Sequence, residues 1–125
     1  MFKKLSLLAL PLLLAGCAST FTNLTPTRQA RNPENLYPVE VQFNSEQQTL
    51  RWHTIKPYVL VGDTALPMRQ TPLMKNRWEG LVPVPPNSKR VEYRYKFDYE
   101  FNTFGPAASD SALSPKYELQ ILNGQ

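Results

Sequence analysis

The stretch Val91-Glu92-Tyr93-Arg94-Tyr95-Lys96-Phe97-Asp98-Tyr99-Glu100-Phe101 decides the fold class. Its odd positions are all Val, Tyr or Phe, and its even positions are all Glu, Arg, Lys or Asp. A helix with its 3.6-residue turn would scatter these aromatics around the cylinder. A strand sends successive side chains to opposite faces, so 91–101 reads as one long strand, aromatic inside and charged outside.

Working outward, the period of two recurs. Val39, Val41 and Phe43 alternate with Glu40, Gln42 and Asn44. Trp78, Gly80, Val82 and Val84 share one face, Leu81 and Pro83 the other, and Tyr117, Leu119 and Ile121 alternate in a closing strand. Residues 49–53 and 55–61 read as two short strands, the second ending at the turn dipeptide Gly62-Asp63. Residues 65–69 read as an edge strand, where the missing N–H of Pro67 is tolerated. The stretches 72–76 and 107–115 read as loops. Twelve prolines in 125 residues leave little room for long helices. About seven short strands separated by turn signals predict an all-β protein, an antiparallel sandwich of immunoglobulin-like type, with a closed barrel as the alternative.

The N-terminus has a different character. Lys3 and Lys4 precede a nearly continuous apolar run over 5–14, broken by Ser6 and Pro11. At about ten residues the run is half of what a bilayer-spanning helix needs, so residues 1–16 read as a secretory signal peptide. Leu14-Ala15-Gly16-Cys17 resembles the lipobox of bacterial lipoproteins: a branched apolar residue, two small residues and a cysteine. That resemblance implies a mature chain starting at Cys17, its thiol in a diacylglyceryl thioether and its amine carrying a further acyl chain such as palmitate. Two or three chains on one residue anchor stably, since each buried methylene contributes roughly 0.8 kcal/mol. In enteric-type sorting an Asp after the modified Cys retains the lipoprotein at the inner membrane. Ala18 in that place implies the outer membrane, on its periplasmic or cell-surface face.

Residues 17–35, rich in Ser, Thr, Asn and Pro, read as the lipidated N-terminus and a flexible tether. The alternative is a short first strand over Phe21-Thr22-Asn23-Leu24-Thr25-Pro26. Residues 36–125 form the sandwich domain.

A second resemblance lies within that domain. Leu66-Pro67-Met68, then Trp78-Glu79-Gly80-Leu81-Val82-Pro83-Val84-Pro85, then Tyr93-Arg94-Tyr95-Lys96-Phe97-Asp98 follow an order similar to early-set immunoglobulin-like domains, and distantly to glycogen- and starch-binding modules. It covers roughly 58–121 and implies the sandwich fold. In such a module Lys96 of the Tyr-Lys-Phe run would contact sugar hydroxyls and Phe104 would stack on a ring. The Trp-bearing loop of those modules has no counterpart, because no aromatic lies between Gly62 and Thr71.

Reactive chemistry is sparse. One Cys excludes an internal disulfide, and one Cys with one His, His53, excludes the usual zinc clusters. Asp98 and Glu100, two residues apart on one strand face and so about 6–7 Å apart, have a spacing compatible with paired catalytic carboxylates. The mixed-charge row around them reads instead as a solvated face with cross-strand pairing. No phosphate loop, calcium loop or metal-ligand spacing occurs. The formal charge of +4 includes Lys3 and Lys4, so it carries no argument for nucleic acid.

The sequence therefore predicts a non-catalytic envelope lipoprotein, without cofactor, held to the outer membrane through Cys17. Its sandwich would serve a protein partner or envelope assembly, with an α-glucan-type carbohydrate as the alternative ligand. Trp52 and Phe104 fall outside the strongest inward register and, with Lys96, are the candidate contact residues.

Overall fold

A computed structural model of the chain describes residues 19–46 and 48–123. The signal-peptide segment 1–16 and Cys17 lie outside the described residues.

Ten strands occur among those residues: β1 Ser19–Asn23, β2 Arg28–Ala30, β3 Leu36–Ser45, β4 Leu50–Val61, β5 Thr64–Pro67, β6 Arg69–Gln70, β7 Arg77–Pro83, β8 Arg90–Phe101, β9 Ala108–Leu113 and β10 Tyr117–Leu122. They form two sheets, β1-β3-β7-β6 and β2-β10-β8-β4-β5, with β9 also paired to β8. The protein is a β-sandwich rather than a closed barrel, and each sheet keeps its edges. Every pairing is antiparallel except β2 with β10, which is parallel.

The alternating strands turn inward as their sequence dictates. Tyr37, Val39, Val41 and Phe43 of β3 are buried, as are Trp78 and Val82 of β7, Tyr93, Tyr95, Phe97 and Tyr99 of β8, and Leu119 and Ile121 of β10. Phe97 sits at the centre of the core. Its ring meets three aromatics of the facing sheet: Phe43 at 4.9 Å, Trp78 edge-on at 5.0 Å and Phe21 edge-on at 5.2 Å between centroids. Such tilted and edge-to-face contacts add about 0.5–1.5 kcal/mol each beyond the area they bury.

Three stretches outside β4 differ from the sequence expectation. Residues 19–30 are not a tether: β1 pairs with β3 from Ser19 opposite Ser45 to Asn23 opposite Val41, and β2 pairs with β10. Between them the chain crosses from one sheet to the other, with the Leu24 N–H donating to the Glu40 carbonyl at 2.9 Å. The polarity that suggested a tether serves this crossing. Asn23 and Thr25 hydrogen bond to the hydroxyls of Tyr93 and Tyr95 and to the backbone of Glu40.

Residues 108–113 form β9 rather than a loop. Their small side chains cover the second half of β8, while β10 covers the first. The break between β9 and β10 falls at Ser114, which is buried. There the Tyr95 N–H donates to Ser114 Oγ at 2.8 Å, and the Ser114 N–H donates to the Tyr95 carbonyl at 2.9 Å. A side-chain oxygen thus stands in for the missing rung of the ladder.

The third difference is in the edge strand expected over 65–69, which divides between the sheets. Pro67 ends β5 beside Tyr58, Met68 crosses, and Arg69 begins β6 opposite Glu79. Gly80 leaves room for Met68 at the crossing, since a Cβ there would lie 3.1 Å from Met68 Cγ.

Candidate functional site

The two strands expected over 49–53 and 55–61 are one strand, β4, interrupted by a bulge. Its partner residues shift as β4 advances from Arg51 to Lys56 while β8 moves only from Glu100 to Asp98. Thr54 closes the irregularity by donating from Oγ1 to the Arg51 carbonyl at 2.6 Å and accepting from the Glu100 N–H at 2.9 Å. Bulges re-aim side chains, and they recur beside binding and active sites.

Here the re-aimed residue is Trp52. Its indole reaches toward the other sheet and stacks on Trp78, with centroids 6.4 Å apart and planes 8° from parallel. Phe43 meets it edge-on at 6.2 Å. Despite those contacts Trp52 keeps 43% of its surface exposed, whereas Trp78 is buried. Trp52 and Trp78 line a cleft of about 920 Å³ between β4 and the β6–β7 segment. Ile55, Pro57 and Met68 supply an apolar floor, and His53, Asn44, Asn76, Gln70 and Lys75 supply polar groups. Three of these are braced: Asn76 Nδ2 donates to Asn44 Oδ1 at 3.2 Å, and Gln70 Nε2 donates to the carbonyls of Met74 and Lys75. An aromatic platform beside a few fixed polar groups is the usual composition of a ligand pocket.

The other candidate residues occupy other surfaces. Lys96 lies on the outer, charged face of β8, opposite Tyr58 of β4 and Leu113 of β9. Its ammonium is 3.7 Å from Asp98 Oδ1, in a shallow polar depression that also contains Thr54 and Ser111. Phe104 is fully exposed at the tip of the loop between β8 and β9. Lys96 and Phe104 do not line the Trp52 cleft, and Phe104 does not line the Lys96 depression either. Asp98 accepts from Ser111 Oγ at 2.6 Å and Glu100 pairs with Arg51 at 3.2 Å, so both carboxylates have structural partners.

A further groove, also of about 920 Å³, crosses the outer face of the four-stranded sheet. Pro38 lies opposite Leu81 there, and Glu40 opposite Glu79. Arg69 relieves the facing carboxylates through its 2.7 Å ion pair with Glu79, and Thr71 Oγ1 donates to Glu40.

Buried titratable groups are concentrated in the tyrosine cluster. Burial pushes the Tyr95 hydroxyl well above its ordinary value, reinforced by its neighbours Tyr93 and Tyr117 and partly offset by the hydrogen bond with Thr25. Tyr117 is raised in the same direction, again chiefly by burial. Among the described residues no group of three His, Cys, Asp or Glu is placed to hold a metal ion, and no helix is long and apolar enough to cross a membrane.

Sequence reasoning nominated Trp52 but missed its surroundings. Asn44, Gln70, Lys75 and Asn76 converge through long-range pairing that no local pattern announces. One signal was present: the alternation fails between Trp52 and Ile55, where the bulge lies. The chain matches no protein-family model, no curated protein and no solved structure.

Proposed function

We propose that this chain is a non-catalytic binding module of the bacterial envelope, held at the outer membrane by acyl chains on Cys17, and that the Trp52 cleft receives a protein partner there. The observation that carries the reading is the bulge that turns Trp52 out of the core onto the edge of a partly apolar cleft. A half-exposed Trp backed by a second aromatic has the character of an interface hot spot, because it removes a large apolar area from water on binding at low entropic cost. The lipobox-like Leu14-Ala15-Gly16-Cys17 supports the anchor. The structural partners of Asp98 and Glu100 support a scaffold role for those acids over catalysis. The strand order supports the immunoglobulin-like assignment, since β1-β3-β7-β6 follows the A-B-E-D order of that fold's first sheet and β4-β8-β10 the C-F-G order of its second.

Affinity capture from detergent-solubilised envelopes tests the proposal. The wild-type chain should recover a stoichiometric protein that Trp52→Ala fails to retain. Recovery of nothing stoichiometric, or equal recovery by both forms, would sink the assignment. Replacing Cys17 by Ser should move the protein from the membrane fraction to the soluble one or leave the precursor unprocessed. A processed Cys17→Ser protein that still pellets with membranes would show that lipid does not hold it.

A carbohydrate is the second reading, favoured by the flat indole of Trp52 beside the amides of Asn44 and Asn76. It moves the sugar site away from Lys96 and Phe104. Retention on an α-glucan gel that Trp52→Ala abolishes and Lys96→Ala leaves intact would support it.

A further inference from the structure

Ser19, the first residue of β1, pairs with Ser45 at one end of the sandwich. Cys17 precedes Ser19 by only two residues, so an acylated Cys17 lies within about 7 Å of chain from that end.

The same end carries the turn between β3 and β4 and two longer loops. Residues 71–76 enter β7, and the Phe43 N–H donates to the Asn76 carbonyl at 2.9 Å, beside Ser45. Residues 102–107 leave β8 where Phe101 pairs with Leu50, and the Asn102 N–H donates to the Thr49 carbonyl at 2.9 Å. Each loop raises one large apolar side chain, Leu73 and Phe104. Of the exposed large hydrophobic residues these are the two with complete exposure, and the others keep only about half of theirs or less.

Neither side chain is left outside by loose chain. Leu73 is held at φ 66, a left-handed conformation that a branched residue ordinarily avoids. Gln70 Nε2 braces its loop through the Met74 and Lys75 carbonyls, and the Met74 N–H donates to the Thr71 carbonyl at 3.1 Å. Thr103 braces the other loop, donating to the Pro106 carbonyl at 2.7 Å and accepting from the Gly105 N–H at 3.1 Å. The two loops contain no carboxylate and one cation, Lys75, and the neighbouring β3–β4 turn adds one exposed acid, Glu46. Apolar tips with a cation behind them match a bilayer surface, whose headgroup region accepts single apolar side chains without a shaped pocket and whose anionic lipids attract Lys.

We infer that the end of the sandwich bearing Ser19 lies against the membrane, with Leu73 and Phe104 inserted into the lipid interface as two contacts that fix the domain's orientation. This rests on the acylation of Cys17 proposed above. The Trp52 cleft, which includes Lys75 and Asn76, then opens close to the headgroups.

The full-length lipidated protein tests this in vesicles of phosphatidylethanolamine and phosphatidylglycerol. Thioether formation consumes the thiol of Cys17, so Leu73→Cys, Phe104→Cys and Asn87→Cys each supply a single labelling site. Asn87 is exposed in the turn after β7, at the opposite end. An environment-sensitive fluorophore at 73 and at 104 should shift to the blue and lose most of its emission to nitroxide-labelled acyl chains, while the same label at 87 should do neither. Labels at 73 and 104 that behave like the label at 87 on vesicle-bound protein overturn the orientation. Labels shielded from aqueous iodide yet untouched by the acyl-chain quencher also overturn it, because a protein surface, such as a second copy, then covers the tips. Intact mass separates the two layers of the argument: an unmodified Cys17 overturns the anchor, whereas an acylated Cys17 with unquenched tips overturns only the insertion.

Discussion

The Tyr95 hydroxyl donates to Asn23 Oδ1 at 2.7 Å, and Asn23 Nδ2 donates in turn to the Tyr93 hydroxyl at 2.8 Å, joining β1 to the central strand of the other sheet. Both tyrosines are buried, so each hydroxyl needs a partner or carries a desolvation cost. Asn23→Ala removes the nearest acceptor of the Tyr95 hydroxyl, leaving it the Glu40 carbonyl at 3.3 Å and Thr25 Oγ1 at 3.2 Å. It also removes the amide that donates to the Tyr93 hydroxyl, and should destabilise the domain by about 1–3 kcal/mol in urea unfolding. Tyr95→Phe should cost less when Asn23 is already Ala than when it is present. A double-mutant cycle with no coupling would mean that the crossing from β1 to β2 is held by Thr25 and the backbone, without the Asn23–Tyr95 bond.

That contact also shows why part of the fold was legible and part was not. The long strand β8 was readable because its aromatic and charged residues obey the period of a strand without exception. Residues 19–30 gave no such signal. Their Asn and Thr residues look like solvated chain, and only the tyrosine hydroxyls waiting in the distant β8 turn them into structural groups. Residues 107–115 read as a loop for a related reason, since a strand of Ala and Ser that covers one flank of β8 has little apolar contrast. The candidate site was legible as a single residue, Trp52, and its polar rim was not, because pairing between β3 and β7 brings Asn44 beside Asn76 from 32 positions away.

The break between β9 and β10 depends on one hydroxyl. Ser114→Ala leaves the Tyr95 N–H buried in the middle of a sheet without its acceptor. The loss should be about 1–3 kcal/mol in chemical unfolding, large for the removal of one oxygen atom. Amide exchange at Tyr95 should accelerate in the variant, and unchanged protection there would show that the backbone closes the gap unaided.

Alkaline pH should expose the tyrosine cluster. Burial raises Tyr95 and Tyr117 above the ordinary value of 10.0, so the folded chain keeps protons that the unfolded chain releases above about pH 10. The unfolded state then binds fewer protons, and stability must fall as pH rises. It is complete below the unfolded value and declines above it by up to about 1.4 kcal/mol per pH unit for Tyr95, with Tyr117 acting in the same direction. Tyr95→Phe should flatten the decline by up to one group's slope, measured as unfolding free energy from pH 9 to 11.5. Equal slopes in the two proteins would rule Tyr95 out as the source.

The two faces of β8 should respond differently to substitution. Phe97 is fully buried and meets Phe21, Phe43 and Trp78 from the opposite sheet, so Phe97→Ala opens a cavity that three aromatic neighbours cannot readily close. Its cost should be about 3–5 kcal/mol, a large share of the 5–15 kcal/mol typical of a folded domain. Lys96 is adjacent in sequence but faces outward, and its ion pair with Asp98 spans 3.7 Å in solvent, where such pairs contribute about 1 kcal/mol or less. Lys96→Ala should therefore leave the melting temperature almost unchanged. Trp52→Ala should fall between the two, because the indole is stacked on Trp78 and half open to water. Thermal unfolding of the three variants side by side fixes the ranking. If Lys96→Ala unfolded the domain while Phe97→Ala were silent, the register of β8 would be off by one residue and each of its inward assignments would invert.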